Sequence, residues 1–297
     1  MELISQREVA GYRPPELVGQ ILSAEKLALL SDAYVEQSHY GYLPWKRCHD
    51  IHEFRPAELT VWSGETKSMK SMLSGYILMH LALQRHRVAI ASFEMPPQVT
   101  FERMAKAFTG KSDLNRDDKF QTAEALKTKL FVYDYLGIAK ASDVYNFIDY
   151  SANELMAKHI MVDSLMCVSS DTNKQGDLQN EQKEFISHIS RLAKSYGVHV
   201  HLVCHFRKPE KGNHKATIYD IMGTSAIPNL ADNIFIVQKN HDKEDESEPD
   251  IFLSLGAQRL GQEHWNWGFK MHRSFQFLHC SNLFPLMQED LARGCFA

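Results

Sequence analysis

The stretch Leu59-Thr60-Val61-Trp62-Ser63-Gly64-Glu65-Thr66-Lys67-Ser68-Met69-Lys70-Ser71 limits the chain's architecture more than any other. A short β-branched and aromatic run ends at Gly64, a polar loop follows, and an amphipathic run begins at Lys70 and continues to Gln84. That order predicts strand, loop, helix. Against the phosphate-loop pattern G-x-x-x-x-G-K-[ST], Gly64, Lys70 and Ser71 hold their positions, and Met69 stands where the second glycine belongs. In such a loop successive backbone N–H groups and the positive end of the helix surround an anionic phosphate; the lysine reaches the outer phosphates and the hydroxyl binds Mg2+. Residues Gly64, Glu65, Thr66, Lys67, Ser68, Met69, Lys70 and Ser71 are therefore the candidate nucleotide-binding set. Methionine at position 69 keeps the amide donors but adds a side chain where backbone must approach the ligand; a positive φ there costs about 1–2 kcal/mol. The alternative is a polar turn ahead of a core helix.

The chain has 297 residues, 44% hydrophobic and 24% charged, enough to bury a full core in one large domain or two small ones. No apolar run nears the ~18–20 residues needed to cross a bilayer, and the first residues lack a basic start followed by an apolar core. The expected location is cytoplasmic, without a membrane partner. Cys48, Cys167, Cys204, Cys280 and Cys295 form no C-x-x-C pair, which argues for reduced thiols over zinc or disulfides. No histidine spacing matches a metal motif, so the 15 histidines read as surface or satisfied core residues. A net charge of −4 excludes a wholly basic surface but leaves room for a local basic strip.

Residues up to about Gly11 read as a frayed end. Pro14 and Pro15 precede a helical stretch, Glu16 to Val35, an arm or linker helix that divides the chain into residues 1–50 and a main body, 51–297. From Ile51 on, strand-like and helical runs alternate, predicting an α/β core with a mostly parallel sheet. Strands are expected at Leu59–Trp62, Val88–Phe93, Leu130–Tyr133, His159–Val162, Val198–Cys204 and Ile234–Val237. Helices are expected at Lys70–Gln84, Gln98–Phe108, Thr122–Lys129, Ala141–Met156 and Asn180–Tyr196. In the last, Phe185, Ile189, Leu192 and Tyr196 make a buried stripe. Beyond an acidic connector, His241 to Asp250, the runs Ile251–Leu255, Trp265–Met271 and Phe275–Leu278 read as antiparallel strands.

Ligands of parallel α/β sheets sit beyond the carboxyl ends of the strands. Four strand ends carry suitable groups. Asp163 closes an apolar run and suits the water shell of Mg2+ opposite Ser71; its other reading is a helix cap. Glu94, ahead of Pro96, is placed to take a proton from an attacking water, or simply to cap the next helix. His205 is a candidate donor to a terminal phosphate or a surface loop residue. Arg259 is either a solvated charge or a group that reaches a neighbouring subunit's nucleotide.

The order and wording of these segments resemble the RecA-like P-loop NTPase motor of DnaB-type replicative helicases, especially those of phage primase-helicases and the mitochondrial Twinkle type. The resemblance runs from about Glu16 to Met271. It is carried by Ser92-Phe93-Glu94-Met95-Pro96, by His159-Ile160-Met161-Val162-Asp163 as a Walker B strand, by the Val198–Lys208 strand ending in His205, and by Gly223-Thr224-Ser225-Ala226-Ile227 running on to Ala231-Asp232-Asn233. It implies a ring, usually hexameric, with MgATP between neighbours and single-stranded DNA through the middle. In that frame Glu94, His205 and Arg259 are catalytic, Ser71 and Asp163 hold Mg2+, and the N-terminal helix is a linker arm. The loops Ser169–Gln179 and Arg207–Lys215 face the central hole, the second with Arg207, Lys208, Lys211 and Lys215 for backbone phosphates. A phage replication module is implied, working in the host cytoplasm, with priming left to a primase or polymerase on another chain.

Two positions depart from that family. Met69 replaces a loop glycine, and Ala257 stands where a K-x-R segment usually has lysine, leaving Gln258 and Arg259. Both changes weaken binding or hydrolysis of a triphosphate. The resemblance thus implies an ATP-dependent DNA helicase motor, set against a ring-forming single-strand-binding or accessory protein with a degenerate loop. A strand-exchange mediator is the third reading, favoured by filaments instead of rings.

Overall fold

The computed structural model describes residues 2–5, 24, 27, 39–170, 178–207, 217–260 and 265–279. The expected Glu16–Val35 helix lies outside these except for Ala24 and Leu27, which are helical and exposed. Lys208, Lys211, Lys215 and residues 171–177 also lie outside.

The apolar runs form the strands β2 (Leu59–Gly64), β3 (Val88–Ser92), β4 (Leu130–Asp134), β6 (His159–Asp163), β8 (His199–Val203) and β9 (Asn233–Lys239). With β1 (Glu2–Ser5) they pair parallel in the order β1-β4-β3-β6-β8-β2-β9. The antiparallel strands β10 (Ile251–Gln258), β11 (Trp265–Met271) and β12 (Phe277–His279) continue the sheet. The fold is therefore α/β, a RecA-like core with a mostly parallel sheet and an antiparallel C-terminal extension.

Alternation of side chains along each strand serves two cores, as expected when both faces are covered. Val61, Ala91, Val162 and Leu202 face helices α4 (Ala141–Asn153) and α5 (Leu178–Tyr196), where Phe147, Phe185, Ile189 and Leu192 are buried. Trp62, Ile90, Met161 and Val203 face α1 (Lys70–Leu83) and α2 (Pro97–Thr109), which bury Leu73, Ile77, Leu81 and Met104. Among the described residues no helix is long and apolar enough to cross a membrane.

Several expectations need correction. Glu2–Ser5 is an edge strand on β4, not a frayed end, because backbone pairing needs no hydrophobic period. The helix expected at Thr122–Lys129 is α3 (Arg116–Leu126). Asn115 starts it early: its side chain accepts from Asp118 N at 2.8 Å while Asp118 Oδ2 accepts from Asn115 N at 3.0 Å. The last strand begins at Phe277, since Phe275 (φ 61°) belongs to a turn whose amide donates to His272 O at 2.9 Å. Two short parallel strands escaped the pattern, β5 (Ala139–Lys140) and β7 (Val168–Ser169). A four-residue helix, α6 (Ile227–Leu230), precedes β9.

Candidate active site

The loop between β2 and α1 is built around one close approach. A Cβ on Gly64 would lie 2.1 Å from the Val237 carbonyl oxygen of β9, so no other residue fits there. Lys67 and Met69 both adopt left-handed backbone, φ 65° and 68°. Met69 thus bears the conformational cost that a glycine would avoid, and its half-buried side chain packs against the core shared with α1. Lys70 is buried at the first turn of α1, and its Nζ donates to Glu65 O at 2.7 Å. The Glu65 carboxylate lies 2.9 Å from His241 Nε2, beyond β9.

Three parallel strand ends converge beside this loop. Asp163, at the end of β6, is 2% exposed and accepts from Ser71 Oγ at 3.1 Å. Glu94 follows β3, and β3 pairs with β6 so that Ser92 lies opposite Asp163. Glu94 Oε1 accepts from Ser164 Oγ at 2.6 Å and lies 3.5 Å from His205 Nε2, just past the end of β8. Cys167 Sγ is 3.9 Å from the same oxygen. Ser164 and Cys167 escaped the sequence reading, although the adjacency of Ser164 to Asp163 offered a signal. Arg259 does not join this cluster. Strand β10 runs antiparallel, so its carboxyl end lies at the opposite end of the sheet, where Arg259 Nε meets Asp232 Oδ1 at 3.0 Å and Asp232 Oδ2 accepts from the Leu59 amide at 2.9 Å. Of the four strand ends singled out, three are brought together.

Burial sets the electrostatics. It pushes the Asp163 carboxyl up to about 6, against the Ser71 hydrogen bond. It lowers Lys70 from its ordinary value, against the pull of Asp163 and Glu94. Glu94 is also pushed up by burial, but Ser164, His205 and Lys70 together hold it below the usual carboxylate value. A triphosphate and a divalent cation fit such a set. The Ser68 hydroxyl inside the loop and His205 Nδ1 are buried without a hydrogen-bond partner. The Ser71 and Asp163 oxygens are hard donors suited to Mg2+. An anion at the loop would restore the charge balance of a cation taken out of water.

A family model described as the AAA domain matches residues 44–211, a span containing Gly64, Lys70, Glu94, Asp163 and His205. The chain belongs to the AAA domain family. Among solved structures, this family member is similar to one described as an ATPase domain, with a TM-score of 0.73 and 12% identity over 87% of this chain and 99% of that one. A second likeness is to a DnaB-like replicative helicase solved for its interactions with primase, with a TM-score of 0.70 and 10% identity over 87% of this chain and 67% of that one. Both show the fold. In sequence the AAA domain protein is 26% identical over 114 residues to the DNA helicase/primase of Enterobacteria phage T3, covering 37% of this chain and 20% of that protein. The chain thus aligns with about a fifth of the phage protein's length.

Proposed function

We propose that the chain is the ATP-dependent motor of a DnaB-like helicase, working on single-stranded DNA as a ring of like subunits, six in the family it resembles. One observation carries this reading: Lys70, the Ser71–Asp163 pair and the Glu94–His205 pair meet at the carboxyl ends of adjacent strands. Lys70 and the loop amides would hold the outer phosphates of ATP, with Ser71 and Asp163 taking Mg2+. The cation, when bound, neutralises charge on the phosphate oxygens. Glu94, kept ionised by Ser164 and His205, accepts a proton from the attacking water. His205, tied to Glu94, turns toward the terminal phosphate and reports its presence to the chain that follows it. Arg259, at the far end of its own subunit's sheet, would serve a neighbour's nucleotide. Arg207, with Lys208, Lys211 and Lys215, supplies cations for DNA phosphates. In this reading residues 51–297 are the motor and residues 1–50 an arm, except that Glu2–Ser5 joins the motor's own sheet and Leu43, Trp45 and Cys48 are buried in its core. A primase or polymerase chain is the expected partner.

The test is the rate of ATP hydrolysis with and without single-stranded DNA, beside a Glu94→Gln control. Stimulated hydrolysis that the control abolishes supports the motor; inertness in both removes it. A specific observation favours a second reading, an accessory ring protein with weak turnover: Met69 carries left-handed strain, and Lys70 is engaged by the loop's own carbonyl. Under that reading the natural chain is inert and Met69→Gly restores turnover.

A further inference from the structure

We propose that Tyr219 is a stacking platform for a base of single-stranded nucleic acid. The inference rests on the motor reading and adds a contact of a different kind from the basic side chains. Tyr219 is 78% exposed, the most exposed large hydrophobic side chain among the described residues. Exposure alone means little, since single surface aromatics are common. The frame that holds it is the argument. Tyr219 sits in the middle of a one-turn 3-10 segment, Ile218–Asp220. Asp220 Oδ2 accepts from Thr217 N at 2.6 Å and from Thr217 Oγ1 at 2.8 Å. Ile218 turns inward and packs on the core beside Gly256, where an added Cβ would lie 2.8 Å from it. The turn is also tied to the residues that follow β8: Arg207 N donates to Asp220 O at 2.8 Å, Met222 N donates to His205 O at 2.7 Å, and Phe206 bridges Ile221.

The backbone under Tyr219 is therefore fixed while its ring stands in water. A ring held on a rigid turn stacks on a base with little loss of freedom, and stacking suits any base because each has a π-face. Cationic and polar groups from three parts of the chain lie near the turn's two neighbours, Arg207 and Gly223. Arg207 donates to Gly223 O at 3.1 Å. Next to Gly223, Thr224 and Ser225 join Asn180, Lys183 and Asn229, with Ala226 and Leu230, in lining an open groove of about 410 Å3 of mixed polar and apolar character. The backbone bonds that hold the turn also reach His205, 3.5 Å from Glu94, so a base held by Tyr219 is connected to the hydrolytic pair through backbone alone.

The experiment is a titration of the full chain, with Mg2+ and a non-hydrolysable ATP analogue, by fluorescently labelled single-stranded oligonucleotides of equal length, intact or with abasic sites, across a range of salt. Tyr219→Ala is expected to weaken binding of the intact strand about 5- to 150-fold with an unchanged salt slope, and Tyr219→Phe to stay within about twofold. Arg207→Ala instead lowers the salt slope, by about 0.7 if it neutralises one phosphate of a single strand. The wild type loses affinity for the abasic strand, and Tyr219→Ala loses little more. Stacking is overturned if Tyr219→Ala binds the intact strand as the wild type does, loses intact and abasic strands equally, or loses binding together with assembly by sedimentation. A wild type that takes up no single strand at all overturns the motor reading itself.

Discussion

The same parallel strands carry two different polar clusters. At their carboxyl ends lie Lys70, Asp163, Glu94 and His205, with buried polar atoms at Ser68 and His205 lacking partners. Toward their amino ends lie three fully buried histidines, His159 opening β6 and His199 and His201 on β8. There the bonds run in one direction. Trp62 Nε1 donates to His201 Nδ1 at 3.2 Å, His201 Nε2 meets His159 Nδ1 at 3.1 Å, and His159 Nε2 meets Tyr40 O at 2.5 Å. Because the indole only donates and the carbonyl only accepts, one neutral tautomer of each ring satisfies every link. His199 is held likewise, between Thr60 Oγ1 at 2.7 Å and Arg55 O at 2.6 Å. Unpaired atoms alone do not separate the clusters, since His52 Nε2 and Asn233 Oδ1 on the amino-end side also lack partners; the difference is that the three histidines there are fully bonded and buried, while Glu94 and His205 are partly exposed.

The largest expected effect breaks the poised cluster and spares the satisfied one. Glu94→Gln should lower ATP turnover about 10^2- to 10^4-fold with a denaturation midpoint close to that of the wild type, since the side chain is partly exposed. The converse is His201→Ala, which leaves the Trp62 N–H and His159 Nδ1 without partners and opens a cavity. Urea denaturation should show a loss of about 3 kcal/mol, while nucleotide affinity of the folded fraction moves little.

Acid should separate the two clusters as well. Burial lowers His52, His80 and His86 to about 4 and His199 to about 3, and drives His159 and His201 well below the ordinary histidine value. The unfolded chain therefore binds more protons than the folded one below about pH 6.5, and stability falls as pH drops toward these values. Each such histidine steepens the fall by up to about 1.4 kcal/mol per pH unit. Glu58, raised to about 7 by burial, and Asp163, raised to about 6, work in the opposite sense but are fewer. Midpoints measured from pH 7 to pH 4 should decline, and a flat profile would show that the histidines are not neutral in the fold. Met69→Gly is the smallest change. Relief of the left-handed strain, which the chain carries without nucleotide, should raise the urea denaturation midpoint by the equivalent of up to about 1 kcal/mol.

Much of this arrangement was legible. Apolar runs announced the parallel strands because both faces of the sheet are covered, and the ends of three of them bore the groups that meet. The histidine relay was legible only as satisfied core residues, although Val198-His199-Val200-His201-Leu202-Val203 alternates with period two and sets both histidines on one face. What hid the relay was pairing: His159 lies beside His199 across two strands distant in sequence. The edge strand Glu2–Ser5 is too short for a period to show, and the Asn115–Asp118 capping box lies several residues ahead of Leu126, the buried apolar residue of α3. Arg259 does follow the end of a strand, but that strand is antiparallel, so its end lies away from the three that meet. The Ser164–Glu94 bond required the folded chain, since nothing along the sequence brings the two together.

The crowding at Gly64 and the tolerance at Met69 divide the labour of the loop unequally. The first position is closed to every side chain by a carbonyl of another strand; the second only penalises one. A pattern that demands both glycines would pass over this chain, although its loop keeps the one glycine that the neighbouring strand requires.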